Sequence, residues 1–318
     1  MVLDASGNLY GTTQVGGANG DGTVFELSPG EDGAWTETIP HNFDFGAGDG
    51  ADPDAAMTFD AQGNLYGTTS EGGTGICNVE GCGTVFELSP QSDGTWTETI
   101  LHNFVANGTD GYEPGSGTLV FDSKGNLYDT IPEGGTYGYG VVYELSPVGG
   151  GTWTETILHS FNPNGTDGYF PKSGVILDPE GNLYGTTYNG GSNDGNDGTV
   201  YKLSPANGGG WTESILSNLG GTDGPVNPAA GLVFDAKGNL WGTTQRGGAY
   251  GYGTAYELRP AENGSWRERV VTNFEDIPTD KNGETPFDAL TVGPRGYLYG
   301  TTSAGGRQHD GTVFEILP

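Results

Sequence analysis

Basic residues are scarce. Of 318 residues, 11 are Lys or Arg against 41 Asp or Glu, a net charge of −30. So acidic a surface repels a phosphate backbone and an anionic bilayer, which excludes nucleic acid and membrane insertion among the partners. No apolar run is long enough to cross a bilayer, and no segment holds a sustained helical period. Met1 leads at once into strand-like Val2-Leu3-Asp4, with no signal peptide before it. Also missing are a GxSxG nucleophile elbow, a Walker A loop and a HExxH helix. Cysteine is limited to Cys77 and Cys82 in "CNVEGC". With no further zinc ligand beside them, the two make a poor metal site. They suit either a disulfide closing a small ring or two free thiols in a surface loop. We expect the disulfide, and with it an exported protein.

Glycine and proline are abundant, 61 and 18 residues, yet disorder does not follow, because the glycines recur at long, regular intervals and aromatics make up 11% of the chain. The phrase GNLYGTT begins at Gly7, Gly63 and Gly181, with variants GNLYDTI at Gly125, GNLWGTT at Gly238 and GYLYGTT at Gly296. Six copies roughly 56–62 residues apart belong to a solenoid or a propeller. The copy at 231–274 splits into four β-prone runs, 231–235, 239–244, 253–259 and 266–274. Four strands, six times over, predicts an all-β, six-bladed β-propeller with four-stranded antiparallel blades. A single domain over 1–318 is expected, with blades near 1–46, 47–107, 108–164, 165–221, 222–277 and 278–318. Each blade would run from inner strand A (LVFD) through B (NLYGTT) and C (GTVFELSP) to outer D (WTETILHNF). The last copy ends after strand C, so the sixth blade should lack its outer strand unless residues upstream of Met1 complete it.

The run "GTTxxGG…GTVFELSP" resembles the GloVer tandem repeat of secreted bacterial proteins, and the resemblance covers the whole chain. It implies export, to the medium or the cell surface, and a propeller-like fold with an NHL-like strand order. It implies no catalytic residues.

Six internal copies separate scaffold from exception. Trp35, Trp96, Trp153, Trp211 and Trp266 share one strand D position, and His41, His102 and His159 share another. Both sets read as scaffold, the histidines lying too far apart for a three-histidine metal site. The exceptions fall in the B–C and D–A loops, which leave a propeller on one face. Tyr112, Tyr137, Tyr139, Tyr169, Tyr188, Tyr250 and Tyr252, joined by Phe170, lie there outside the strand consensus. They suit stacking on sugar faces, or packing beneath their own loops. Arg246 is a further candidate ligand residue. Asp110, Asp167 and Asp223, in loops of the form NGTDGYEP, suit either Ca²⁺ or an Asp-Gly turn. No cofactor is otherwise required.

Asp129, where five copies have glycine, is expected to bend out toward the pore or the top cleft. There it would join Glu133 and Glu71 as candidate acids, with His309 as a candidate acid–base group; a bulge with Asp129 capping a backbone amide is the alternative. Two functions follow. One is an exported, monomeric propeller binding a polysaccharide or cell-surface glycan on the B–C and D–A loops. The other is a polysaccharide-active hydrolase or lyase using carboxylates near the pore.

Overall fold

A computed structural model of the chain describes residues 1–77, 80–115, 117–193, 195–275 and 283–318. Among these, only two 3₁₀ turns, Phe45–Ala47 and Pro294–Gly296, relieve an otherwise all-β chain. The fold is the expected six-bladed β-propeller. It divides into two compact units, Met1–Ser160 with blades 1 to 3 and Phe161–Pro318 with blades 4 to 6. Blade 3 shows the pattern: strand A Val120–Phe121, B Leu127–Ile131, C Val141–Gly149 and D Thr152–Ser160, hydrogen-bonded in that order. In blade 6 strand A is Thr291–Val292, B is Leu298–Gly305 and C is Thr312–Ile316, and C carries no outer neighbour among the described residues. Its Val313 is 78% exposed, whereas Val24, Val85, Val142 and Val200 at the same position are fully buried beneath a D strand.

Blades 1 to 5 each begin with a turn that an Asp–Asn pair specifies atom by atom. In blade 2, Asp60 Oδ1 accepts the backbone N–H of Gln62 and of Asn64, and Oδ2 accepts Asn64 Nδ2–H. Gly63 supplies the positive φ, +88°. Tyr66 donates its hydroxyl to the same carboxylate, so the turn anchors the following strand. Strand B is buried along its whole length, Leu65–Thr69. A Cβ at its central Gly67 would lie 2.6 Å from Phe86 Cζ across the ladder. The last threonine closes the strand: Thr69 and Thr84 hydroxyls lie 2.9 Å apart, and Thr69 also donates to the Glu71 carbonyl.

Strand D decides how blades meet. Trp96, Glu98 and Ile100 pair with Pro90, Leu88 and Phe86, so all three share one face of the sheet. A bulge then skips Leu101, and His102 pairs with Val85. The extra residue puts His102 on the opposite face from Glu98. The bulge recurs between Val24 and Glu26, Val142 and Tyr143, Val200 and Tyr201, and Ala255 and Tyr256. The Trp face packs back on the preceding blade: Trp96 meets Tyr10 edge-on at 5.9 Å, and Trp266 meets Tyr184 at 6.2 Å. These outer tryptophans are half-buried and Trp35 is half-exposed; only Trp241, on strand B, is fully buried.

The strand B glycines are therefore steric requirements. Gly67→Ala should destabilise the protein by about 1–3 kcal/mol, the range for overpacking a filled core. Urea unfolding measures this, and an unchanged midpoint would contradict the packing described.

Candidate functional site

The D–A and B–C loops of each blade are tied together. Gly50–Ala51 pairs with Glu71–Gly72, Gly111–Tyr112 with Glu133–Gly134, Gly168–Tyr169 with Asn189–Gly190, and Pro225–Val226 with Arg246–Gly247. In blade 6 the corresponding strand, Gly283–Pro286, joins strand B directly. Next in each D–A loop stands a residue before proline with positive φ: Asp52, Glu113, Phe170, Asn227 and Thr285, all at 55–56°. That conformation is unfavourable for a side-chain-bearing residue, and more so before proline. Hydrogen bonds to the preceding blade hold it. Asp52, Glu113, Asn227 and Thr285 donate backbone N–H to the carbonyls of Asp21, Cys82, Asp197 and Tyr252. Glycine follows each acceptor, and a Cβ at Gly22, Gly83, Gly198 or Gly253 would run into the ring of Pro53, Pro114, Pro228 or Pro286. The backbone of this edge is thus fixed in blades 2, 3, 5 and 6, while its side chains differ from copy to copy.

In the first unit the edge is acidic. Glu71 is raised above the usual carboxylate range by partial burial and by Glu80, Asp52, Glu113 and Asp21. Glu113 is raised by partial burial, then Glu133 and Glu80. Tyr137 projects from the "TYGYG" loop, 51% exposed, with Tyr139 half-buried beside it. In the second unit "AYGYG" repeats the arrangement, with Tyr250 56% and Tyr252 38% exposed. The loops match bond for bond: Gly138 N–H donates to Gly135 and Gly251 N–H to Gly248, each at 3.2 Å, and Tyr139 and Tyr252 bridge to Gly134 and Gly247. Tyr112, Tyr169 and Tyr188 are half-buried; Tyr188 lies beneath Lys172 Nζ at 4.0 Å, and Tyr169 packs edge-on against Phe170. Arg246 and His309 are exposed, His309 at the left-handed φ of 61°. Cys77 and Cys82 are bonded to each other, and Cys82 is buried in the core of blades 2 and 3. A cleft of about 500 Å³ lies elsewhere, on the C–D hairpin of blade 5 beside Arg259 and Arg267.

The histidines read as scaffold each stand beside two carboxylates in blades 1 and 2. Past its bulge, His102 faces the next blade, where Glu155 stands on the Trp face. The D–A loop supplies Asp110. His102 Nε2 lies 3.5 Å from Asp110 Oδ2 and 3.7 Å from Glu155 Oε1. One blade earlier His41 Nε2 lies 2.9 Å from Asp49 Oδ2 and 3.5 Å from Glu98 Oε2. Burial, with the neighbouring aspartate, pushes Glu98 and Glu155 each up to about 9. Asp49 falls instead, because the hydrogen bond and charge of His41 outweigh its burial. The signal was in the sequence: an aspartate stands eight residues after each of His41, His102 and His159. Where blade 4 has Ser217, the serine hydroxyl donates straight to Glu268 at 2.5 Å.

The three loop aspartates therefore differ. Asn107 Oδ1 accepts N–H groups from Thr109 and Asp110, an Asx turn that folds Asp110 inward to 3% exposure; Asn164 and Asp167 repeat it. Asp223 is exposed, at φ 60°.

Asp129 corrects an expectation. It does not bend toward a pore or cleft. Strand B of blade 3 pairs with strand C without interruption from Leu127 to Ile131, and Asp129, opposite Tyr143, is fully buried. Its Oδ1 accepts the N–H of Thr130 at 2.8 Å, and Oδ2 accepts no hydrogen bond. Burial pushes it up to about 7. It forms no cluster with Glu133, which is exposed, or with Glu71. The carboxylate fits because Gly117 lies against it, where other blades carry Ala55, Ser173, Ala230 and Asp288. Ile131 is likewise matched. It pairs with Val141, so both members of the buried threonine pair are replaced together and no hydroxyl is orphaned.

The chain belongs to the Gloeobacter/Verrucomicrobia repeat family, whose model matches residues 1–123 and 115–318. No curated protein matches the sequence. Among solved structures, a glucose dehydrogenase aligns over 97% of this chain and 96% of its own at 13% identity and a TM-score of 0.41. An exo-1,5-α-L-arabinanase from a bovine ruminal metagenomic library aligns over 87% and 94% at 11% identity and 0.38. A fructofuranosidase from Schwanniomyces occidentalis aligns over 80% and 52% at 14% and 0.36. Likenesses at this level carry no information on activity.

Asp129 has a pH signature. An unfolded aspartate titrates near 4 and the buried one near 7, so the folded state holds its proton more tightly. The stability that Asp129 contributes is fully present below about pH 4 and is lost as pH rises through 7. Asp129→Gly removes this dependence. Relative to wild type it should gain stability steadily between pH 4 and 7, by an amount on the order of 4 kcal/mol. Gly117→Ala should destabilise the wild type yet be tolerated beside Asp129→Gly. Urea melts across that pH range, read as a double-mutant cycle, test both; parallel pH curves would contradict the burial.

Proposed function

We propose that the protein is an exported propeller that binds neutral glycans along the loop edge of its blades. The observation that carries this is the pair of identically built YGY loops, one in each unit, whose tip tyrosines stand half-exposed on a backbone that hydrogen bonds hold in place. A tyrosine ring offers a broad, rigid contact area at small entropic cost. Such rings suit the flat, C–H-rich faces of sugars, and a chain of net charge −30 favours an uncharged partner over an anionic one. Side chains that vary along a fixed backbone, acidic in blades 2 and 3 and with Arg246 in blade 5, would set which glycan is accepted. The disulfide and the repeat family fit an extracellular setting.

Tyr137→Ala and Tyr250→Ala should each weaken glycan binding about tenfold, within the 1–2 kcal/mol range of an exposed aromatic contact, while leaving the melting temperature unchanged. A neutral-glycan array followed by titration of hits measures this, with product analysis of each bound glycan. An array with no hits, or variants that bind as wild type, would overturn the proposal; new reducing or unsaturated ends would replace it with an enzyme.

A further inference from the structure

We propose that His102, Asp110 and Glu155 bind a divalent transition-metal ion of the zinc class, which links the outer strand of blade 2 to that of blade 3. The donors come from three segments: strand D of blade 2, the D–A loop, and strand D of blade 3. One donor atom from each lies within 4.8 Å of the others. A zinc ion with bonds of about 2.0–2.2 Å in tetrahedral geometry sets its ligand atoms about 3.3–3.6 Å apart. His102 Nε2 stands 3.5 and 3.7 Å from the two carboxylates, too far for a hydrogen bond and close to the spacing an ion requires.

A second observation points the same way. Asp110 is 3% exposed, and its Oδ1 accepts no hydrogen bond. His102 Nε2 and Glu155 Oε1 are also buried without a hydrogen-bond partner. Buried polar atoms are seldom left so, and these three belong to residues whose donor atoms lie within 4.8 Å of one another, Asp110 Oδ2 also accepting the Val105 N–H. The junctions differ in how tightly the histidine is held: Asp49 takes a direct 2.9 Å hydrogen bond from His41, although Glu98 Oε1 there is also buried without a partner, and Ser217 donates straight to Glu268. One imidazole nitrogen with two carboxylates suits zinc, manganese or iron; calcium prefers oxygen donors throughout. Water would supply the fourth ligand.

The test uses the full chain, stripped with chelator, dialysed against zinc, and assayed for bound metal and melting temperature. Wild type should retain zinc and melt higher with it; calcium at the same concentration should give no such rise. His102→Ser, which installs the blade 4 residue, and Asp110→Asn should each bind one zinc ion fewer per chain. Cobalt substitution of wild type should give the visible absorption of a four-coordinate ion, and this reads the site even if a variant fails to fold. Wild type that retains no zinc, variants that retain as much, or cobalt without that band would each overturn the proposal.

Discussion

The bulge in strand D is the constraint on which the rest depends. A four-stranded blade cannot cover its own two faces, so each must be buried against a neighbour. Before the bulge, strand D shows Trp, Glu and Ile to the blade behind. After it, the strand shows His, Ser or Thr to the blade ahead. Without the extra residue His102 would share a face with Glu98, and Glu155 would meet no imidazole. One skipped residue thus converts a strand with a single packing face into a connector with two.

The loop edge follows from a second recurring choice, a left-handed residue before proline. The strain is compensated by hydrogen bonds reaching back to the previous blade and by a glycine that admits the proline ring. Because the backbone is determined by these contacts, the side chain at that position is not. Asp52, Glu113, Phe170, Asn227 and Thr285 occupy one conformation with five chemistries. An interior that fixes its loops so firmly leaves their surfaces free to diverge.

The architecture was legible because it is written six times. The D-x-x-G-N turn, the strand B glycine and the three-stranded sixth blade all followed from repetition and turn chemistry. The observed strands of blade 5, Val233–Phe234, Leu240–Thr244, Thr254–Pro260 and Trp266–Asn273, fall within one or two residues of the runs read from sequence. The His–Asp–Glu clusters were missed for the same reason. Repetition marks scaffold, and a strict alternation along strand D would put His102 on the face of Glu98. A bulge has no sequence signature in that strand, so the change of face at Leu101 was invisible, and with it the meeting of His102 and Glu155.

Blade 3 shows what repetition hides in the other direction. Asp129 and Ile131 stand out when each is compared only with its own column. Their partners lie elsewhere in the copy. Gly117 gives up the side chain that Ala55, Ser173, Ala230 and Asp288 carry where Asp129 adds a carboxyl, and Val141 gives up a hydroxyl where Ile131 does. Paired changes of this kind keep volume and hydrogen bonding in balance. The threonine exchange is complete, since an apolar pair needs no partner. The aspartate exchange is not, because Oδ2 remains buried without a donor and the group holds its proton toward neutrality. The blade has been rebuilt around a carboxylic acid that its interior tolerates mainly in the neutral form, and that residual cost leaves the exchange at Asp129 out of balance.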